Sequence, residues 1–154
     1  MINDVATFLA HAVRLEADAA ETYELLAAKM DERANASVAE LFRKFAGYSR
    51  QHLGEARERA VREAGSVPEL RPEKYQWPDG QSPETPRPAD LEGLTVRDGL
   101  ELALRTERQA CDFYSAVAGQ TASETVQELA QEFAEEEAEH VEALERWLAG
   151  MDSS

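Results

Sequence analysis

Apolar residues recur at steps of three and four along two long stretches of the chain and, after an interruption, along two more. Between Asp4 and Met30 the residues Val5, Phe8, Leu9, Ala12, Ala19, Tyr23, Leu26, Ala27 and Met30 form one stripe with charges between them. That spacing predicts an amphipathic helix over about 4–30, about 40 Å long at about 1.5 Å per residue. A second stripe, Leu41, Phe42, Phe45, His52, Leu53, Ala56 and Ala60, predicts a helix over about 37–64. Ser37-Val38-Ala39-Glu40 reads as a capping box at its start and Gly65 as its stop. The connection over 31–36 is short, so the two helices should lie antiparallel.

From Gly65 to Leu94 the pattern vanishes. All six prolines of the chain fall here, at 68, 72, 78, 83, 86 and 88, and no helix survives that density. Thirty structureless residues are expected only where a segment has a task such as crossing a bundle from end to end. Tyr75 and Trp77 offer the means to pin such a strap to the helices. A flexible linker is the competing expectation.

Beyond it, Leu100, Ala103, Leu104, Ala110, Cys111, Tyr114 and Val117 mark a third helix over about 96–118, opened by Thr95 to Asp98. Val126, Leu129, Phe133, Val141, Leu144, Trp147 and Leu148 mark a fourth over about 122–149, with Thr121 to Glu124 as its capping box. Two hairpins joined by a long crossover between helices 2 and 3 make an all-α four-helix bundle, read as one domain over 1–154. The halves also resemble each other. Glu16 and Tyr23 match Glu107 and Tyr114 at an offset of 91, and Leu41, Phe45 and His52 match Leu129, Phe133 and His140 at an offset of 88. A duplicated hairpin would set equivalent side chains around a pseudo-twofold axis at the bundle centre.

Composition narrows the chemistry. Lys and Arg number 16 against 31 Asp and Glu, a formal charge of −15, which repels phosphate backbones and anionic headgroups and argues against nucleic-acid and membrane partners. A single cysteine, Cys111, permits neither an internal disulfide nor a thiolate metal site. The first ten residues carry no basic region before an apolar run, and no uncharged apolar stretch approaches about 18 residues. A cytoplasmic location is the expectation, and any metal must be held by His and carboxylate.

Each stripe is interrupted at mid-length by a residue that is costly to bury. Glu16 falls in register with Ala12, Ala19 and Tyr23, and Glu107 with Ala103, Ala110 and Tyr114. Glu137 and His140 form an E-x-x-H step between Phe133 and Leu144, and His52 sits between Phe45 and Ala56. A carboxylate facing a dry core costs several kcal/mol unless a positive charge meets it. An i, i+3 pair shares one helix face and can reach one metal ion, and imidazole with carboxylate suits iron, manganese or zinc. His11 lies beside its stripe and reads as exposed; Cys111 reads as a small core residue; Tyr48 is undecided between core and the neighbourhood of the site.

On these residues the chain resembles the rubrerythrin branch of the ferritin-like superfamily, over about 110 residues from Val5 to Ala60 and Val96 to Leu148, long crossover included. The resemblance implies a metal centre in the bundle with Glu16, His52, Glu107, Glu137 and His140 as ligands. Tyr23 and Tyr114 are implied as hydroxyl donors to carboxylates on neighbouring helices. One position departs. The family has Glu three residues before the second-helix histidine, and this chain has Ser49. Two divalent cations facing three glutamates keep a net charge of +1, so the second ion should bind weakly, unless Glu55 or Glu136 substitutes.

The expected cofactor is therefore iron, with manganese or zinc as alternatives, at one or two ions per chain. The resemblance implies an oxidoreductase acting on peroxide or dioxygen, or oxidising Fe(II). Full-length rubrerythrins carry a cysteine-ligated iron domain as electron donor; a single Cys cannot build one, so an external reductant is expected. The alternative is a degenerate module with one structural metal or none, serving in assembly. A homodimer is expected, with Trp147 and Trp77 helping to cover its interface.

Overall fold

The computed structural model describes residues 1–152. Four helices, α1 (Val5–Glu32), α2 (Ala36–Ala64), α3 (Val96–Gln120) and α4 (Glu124–Asp152), form an all-α bundle with no strand among the described residues. Pairing is mainly α1 with α2 and α3 with α4. The crossover from Gly65 to Thr95 holds only two 3₁₀ turns, Pro72–Lys74 and Pro88–Leu91. No helix of the described residues is long and apolar enough to cross a membrane.

The ends of the helices follow local chemistry. Asp4 caps α1 by accepting from the Thr7 amide, and Thr95 with Asp98 closes a reciprocal capping box on α3. Gly65 ends α2 in the left-handed region at φ 79°. Two expected capping boxes are replaced by simpler caps. The Asn35 side chain, not Ser37, receives the Val38 amide, because the turn at Ala34 (φ 55°) starts α2 one residue earlier. At α4 the Ser123 hydroxyl receives the Val126 amide, and Thr121 instead terminates α3.

Two apolar plugs fill the bundle. One, at the Met30 end, gathers Tyr23, Leu26, Met30, Phe42, Phe45, Leu100 and Leu144; the other, at the Phe8 end, gathers Phe8, Leu9, Leu15, Phe113, Tyr114, Val126 and Leu129. A Cβ at Gly99 would stand 3.0 Å from Met30 Cε and 3.6 Å from Phe42, so glycine there lets α3 close onto the first plug. Between the plugs lies a polar layer.

The strap is tied down at a residue read from sequence as exposed. His11 is fully buried. Its Nδ1 lies 2.8 Å from the Thr7 carbonyl, its Nε2 accepts the Gln76 amide at 2.8 Å, and its ring packs against Tyr75, Trp77 and Phe113. The stripe misplaces His11 because the strap, not a helix, covers it. Trp77 is thereby engaged within the chain. Loss of this anchor in His11→Ala should cost about 2–4 kcal/mol. Burial holds the imidazole below its ordinary value. The unfolded chain then takes up the proton first, so the contribution is complete above about pH 6.5 and is lost as pH falls below it. Urea unfolding of both proteins should show their stability gap shrinking in acid; equal midpoints at neutral pH would refute the anchor.

Candidate metal centre

The polar layer is assembled from one inward position on each of α1, α2 and α3 and two on α4. On α1, Glu16 follows Ala12 by one turn and precedes Ala19, both buried, so it cannot turn to solvent without unpacking the stripe; Glu107 repeats this on α3 between Ala103 and Ala110. On α4, Glu137 and His140 are a turn apart, and α2 supplies His52, partly exposed. Glu16, Glu107 and Glu137 are 4%, 1% and 2% exposed.

Ligand atoms of Glu16, His52 and Glu137 lie within 4.8 Å of one another, and so do those of Glu107, Glu137 and His140. The two triads share Glu137. His140 Nδ1 is 3.4 Å from Glu107 and 3.6 Å from Glu137, and His52 Nδ1 is 3.9 Å from Glu16. A third group, His52 with Glu55 and Glu136, lies toward solvent, with His52 Nε2 3.6 Å from Glu136. Tyr23 donates its hydroxyl to Glu107 Oε1 at 2.5 Å, from α1 to α3. Its counterpart Tyr114 is fully buried, and its hydroxyl finds no partner.

Electrostatics show a layer that lacks positive charge. Burial, then the neighbouring Glu107 charge, pushes Glu16 up to about 8 against the relief that Glu137 gives it. Glu137 is driven well above the carboxylate range by burial and by Glu107 and Glu16. Glu107 stays below its ordinary value: burial raises it, but Glu137, His140 and the Tyr23 hydroxyl outweigh that. Burial acts against the His140 cation, yet Glu107 raises its affinity for a proton; His52 is lowered by burial and by His140.

This donor set fits a metal. His52 Nδ1, His140 Nδ1 and Glu107 Oε2 are buried without a hydrogen-bond partner, and buried lone pairs left unmatched cost about 1–3 kcal/mol each. A cation among them would satisfy all three and offset the carboxylate repulsion. Two imidazoles and three carboxylates are hard to intermediate donors of the kind iron, manganese and zinc accept.

Ser49, at the departing position, is buried on α2. Cys111 points elsewhere, its thiol donating to the Ala134 carbonyl at 3.5 Å. Tyr48 is exposed at the mouth of a cleft between α2 and α4 that is lined by Phe45, His52, Glu136 and His140. Sequence reasoning missed Glu84. This strap residue is fully buried and placed electrostatically against Glu107 and Glu16. Nothing distinguishes it in the sequence from the other acids of the Pro-rich segment.

A long-crossover helical bundle with a carboxylate and histidine cluster at mid-length defines a class of candidate metal-binding proteins. Comparison with known proteins agrees: a family model described as the ferritin-like domain matches residues 6–153, and the chain belongs to that family. It is similar to an uncharacterised conserved protein of Magnetospirillum magnetotacticum MS-1 known from a 2.00 Å crystal structure. Identity is 35%, the TM-score is 0.79, and the match covers 96% of this chain and 95% of that one. No curated protein gives a significant match.

Proposed function

We propose that the chain is a rubrerythrin-like redox protein that holds iron between Glu16, His52, Glu107, Glu137 and His140 and acts on peroxide, dioxygen or Fe(II). The observation that carries this reading is the pair of triads joined at Glu137. A shared carboxylate between two three-ligand groups is the arrangement a two-ion centre needs. Iron bound there would supply electrons to an O–O bond, replenished by an external donor or by further Fe(II).

The chain's own residues contribute selection and access. Tyr23 fixes the Glu107 carboxylate through its hydroxyl, which holds one oxygen in place and leaves Oε2 for binding. The apolar plugs above and below exclude bulk water. Access remains at the α2 and α4 cleft, where His52 and His140 stack at 5.7 Å and Tyr48 stacks on His140. Such an opening admits small molecules such as peroxide. A homodimer belongs to the same proposal, with the exposed Trp147 near the end of α4 as one contact.

Buried Ser49 in place of a fourth helical glutamate supports the rival reading of a degenerate module. Addition of Fe(II) in air separates the two. The redox reading expects ligand-to-metal absorption and accelerated peroxide consumption; a chain that takes up no iron would end it.

A further inference from the structure

The crossover strap carries a side chain that neither its packing nor its hydrogen bonds explain. Residues 82–84 are buried, and Glu84 is 0% exposed with neither carboxylate oxygen accepting a well-formed hydrogen bond: the nearby Thr106 hydroxyl donates to the Ala103 carbonyl and gives the carboxylate only minor relief. A buried carboxyl group normally finds at least one donor, and its backbone has found one, since the Thr22 hydroxyl donates to the Glu84 carbonyl at 2.8 Å. Asp18, itself buried on α1, faces Ser82 and Thr85 on either side, and the Thr85 amide closes a turn on the Ser82 carbonyl at 3.1 Å. The segment is therefore held at both flanks while its one acidic side chain is pressed between α1 and α3.

The carboxyl group stands outside the triads whose ligand atoms lie within 4.8 Å of one another, yet it belongs to the same buried polar layer. After burial, the strongest influences on it are the charges of Glu107 and then Glu16, and Glu137, Tyr23 and Tyr114 in turn feel Glu84. Three like charges without a cation make this an unfavourable place to seat a glutamate, and leucine or glutamine at 84 would avoid the conflict. Two divalent ions facing Glu16, Glu107 and Glu137 would carry an excess charge of +1, because α2 offers Ser49 where a fourth acid is expected. One more carboxylate brings the sum to zero. Glu55 and Glu136 are the acids grouped with His52, but Glu55 is exposed, Glu136 is partly exposed and faces the outer nitrogen of His52, and both can stay hydrated. Glu84 has no water to return to.

We propose that Glu84, delivered by the crossover strap rather than by a helix, is the fourth carboxylate of the metal centre and makes the second metal position tight. The inference rests on the metal-binding reading above and extends it: the strap becomes part of the centre, and the expected weakness of the second ion is removed. Glu84 lies between Thr22 of α1 and Thr106 of α3 and outside both triads, so it would reach the ions by rotation of its side chain from that side, opposite the open cleft between α2 and α4.

The test is Fe(II) binding under anaerobic conditions, read by elemental analysis after equilibrium dialysis, together with the melting temperature of each form. The native chain should bind two ions. Glu84→Gln, which keeps the shape and removes the charge, should keep one tight ion and lose at least tenfold in affinity for the other. Apo Glu84→Gln should melt no lower than the apo native protein, while its gain on adding Fe(II) should be smaller. Adding Ser49→Glu to Glu84→Gln should restore the second ion. If the native chain and Glu84→Gln both bind two ions with equal affinity, Glu84 is not a ligand and the metal-binding reading stands. A native chain with one tight ion overturns the inference as well, and one that binds no iron overturns both readings.

Discussion

Replacing Glu137 with Gln should abolish metal binding at both positions, while every other candidate ligand belongs to only one of the two inner triads. Outer partners of a metal site typically cost about 10–100-fold in affinity when removed; loss of a shared inner carboxylate should exceed about 100-fold for each ion. The fold should survive. Glu137 is buried against Glu16 and Glu107 and is driven toward its neutral form there, so glutamine keeps both the volume and the absence of charge, and the apo variant should melt at or above the temperature of the apo native chain. Isothermal titration with Fe(II) under anaerobic conditions measures the first effect and calorimetry the second. Two ions bound by Glu137→Gln with native affinity would refute the centre as described. His140→Ala should be milder, removing one triad only.

The second large effect is a reversal of pH dependence on metal removal. In the apo chain Glu16 is held at about 8 by burial and by the Glu107 charge, and Glu137 is driven well above the carboxylate range by burial and by Glu107 and Glu16. Unfolded carboxyl groups titrate near about 4.3. Through the interval from there to about pH 8 the folded chain keeps protons that the unfolded chain releases, so apo stability falls as pH rises. For Glu16 alone the full effect is on the order of 5 kcal/mol, of which about 2 kcal/mol falls between about pH 6.5 and 8. That upper interval is the informative one, because the opposing His11 contribution is confined to its lower end and below. A bound metal requires the carboxylates deprotonated and so displaces these protons. Holo stability should therefore hold or rise across the same interval. Scanning calorimetry with and without excess Fe(II) should show the metal-dependent gain in Tm growing from about pH 6.5 to 8. An apo form that becomes more stable over that interval would contradict the buried acid cluster.

How much of this was legible in the chain follows from how far each feature depends on near neighbours. The four helices were readable because each buries one face, and a buried face writes itself into the sequence as a period of about 3.6 residues. Gly65 and the Thr95 to Asp98 box were readable because a cap needs only residues within one turn. The same periodicity marked Glu16, Glu107, Glu137 and His140 as acids and a base in apolar register, and the structure brings them into one layer with His52. Where two caps compete within three residues, as Asn35 does with Ser37, the backbone turn at Ala34 decided, and no propensity shows that turn.

Tertiary structure alone decided the rest. His11 and Gln76 are 65 residues apart, and the burial of His11 exists only because the strap passes over it. Glu84 lies among acids of the Pro-rich segment that differ from it in no local property, and the Thr22 hydroxyl together with Asp18 selects it for burial. The physical reason is the same in both cases. A helix repeats its environment every turn, so its sequence records which side is inside; an irregular strap has no period, and each of its residues meets whatever the bundle presents at that point. The sequence by itself therefore determined the bundle, its polar layer and the deficit at Ser49, while the packing of the strap determined which further carboxylate faces that layer.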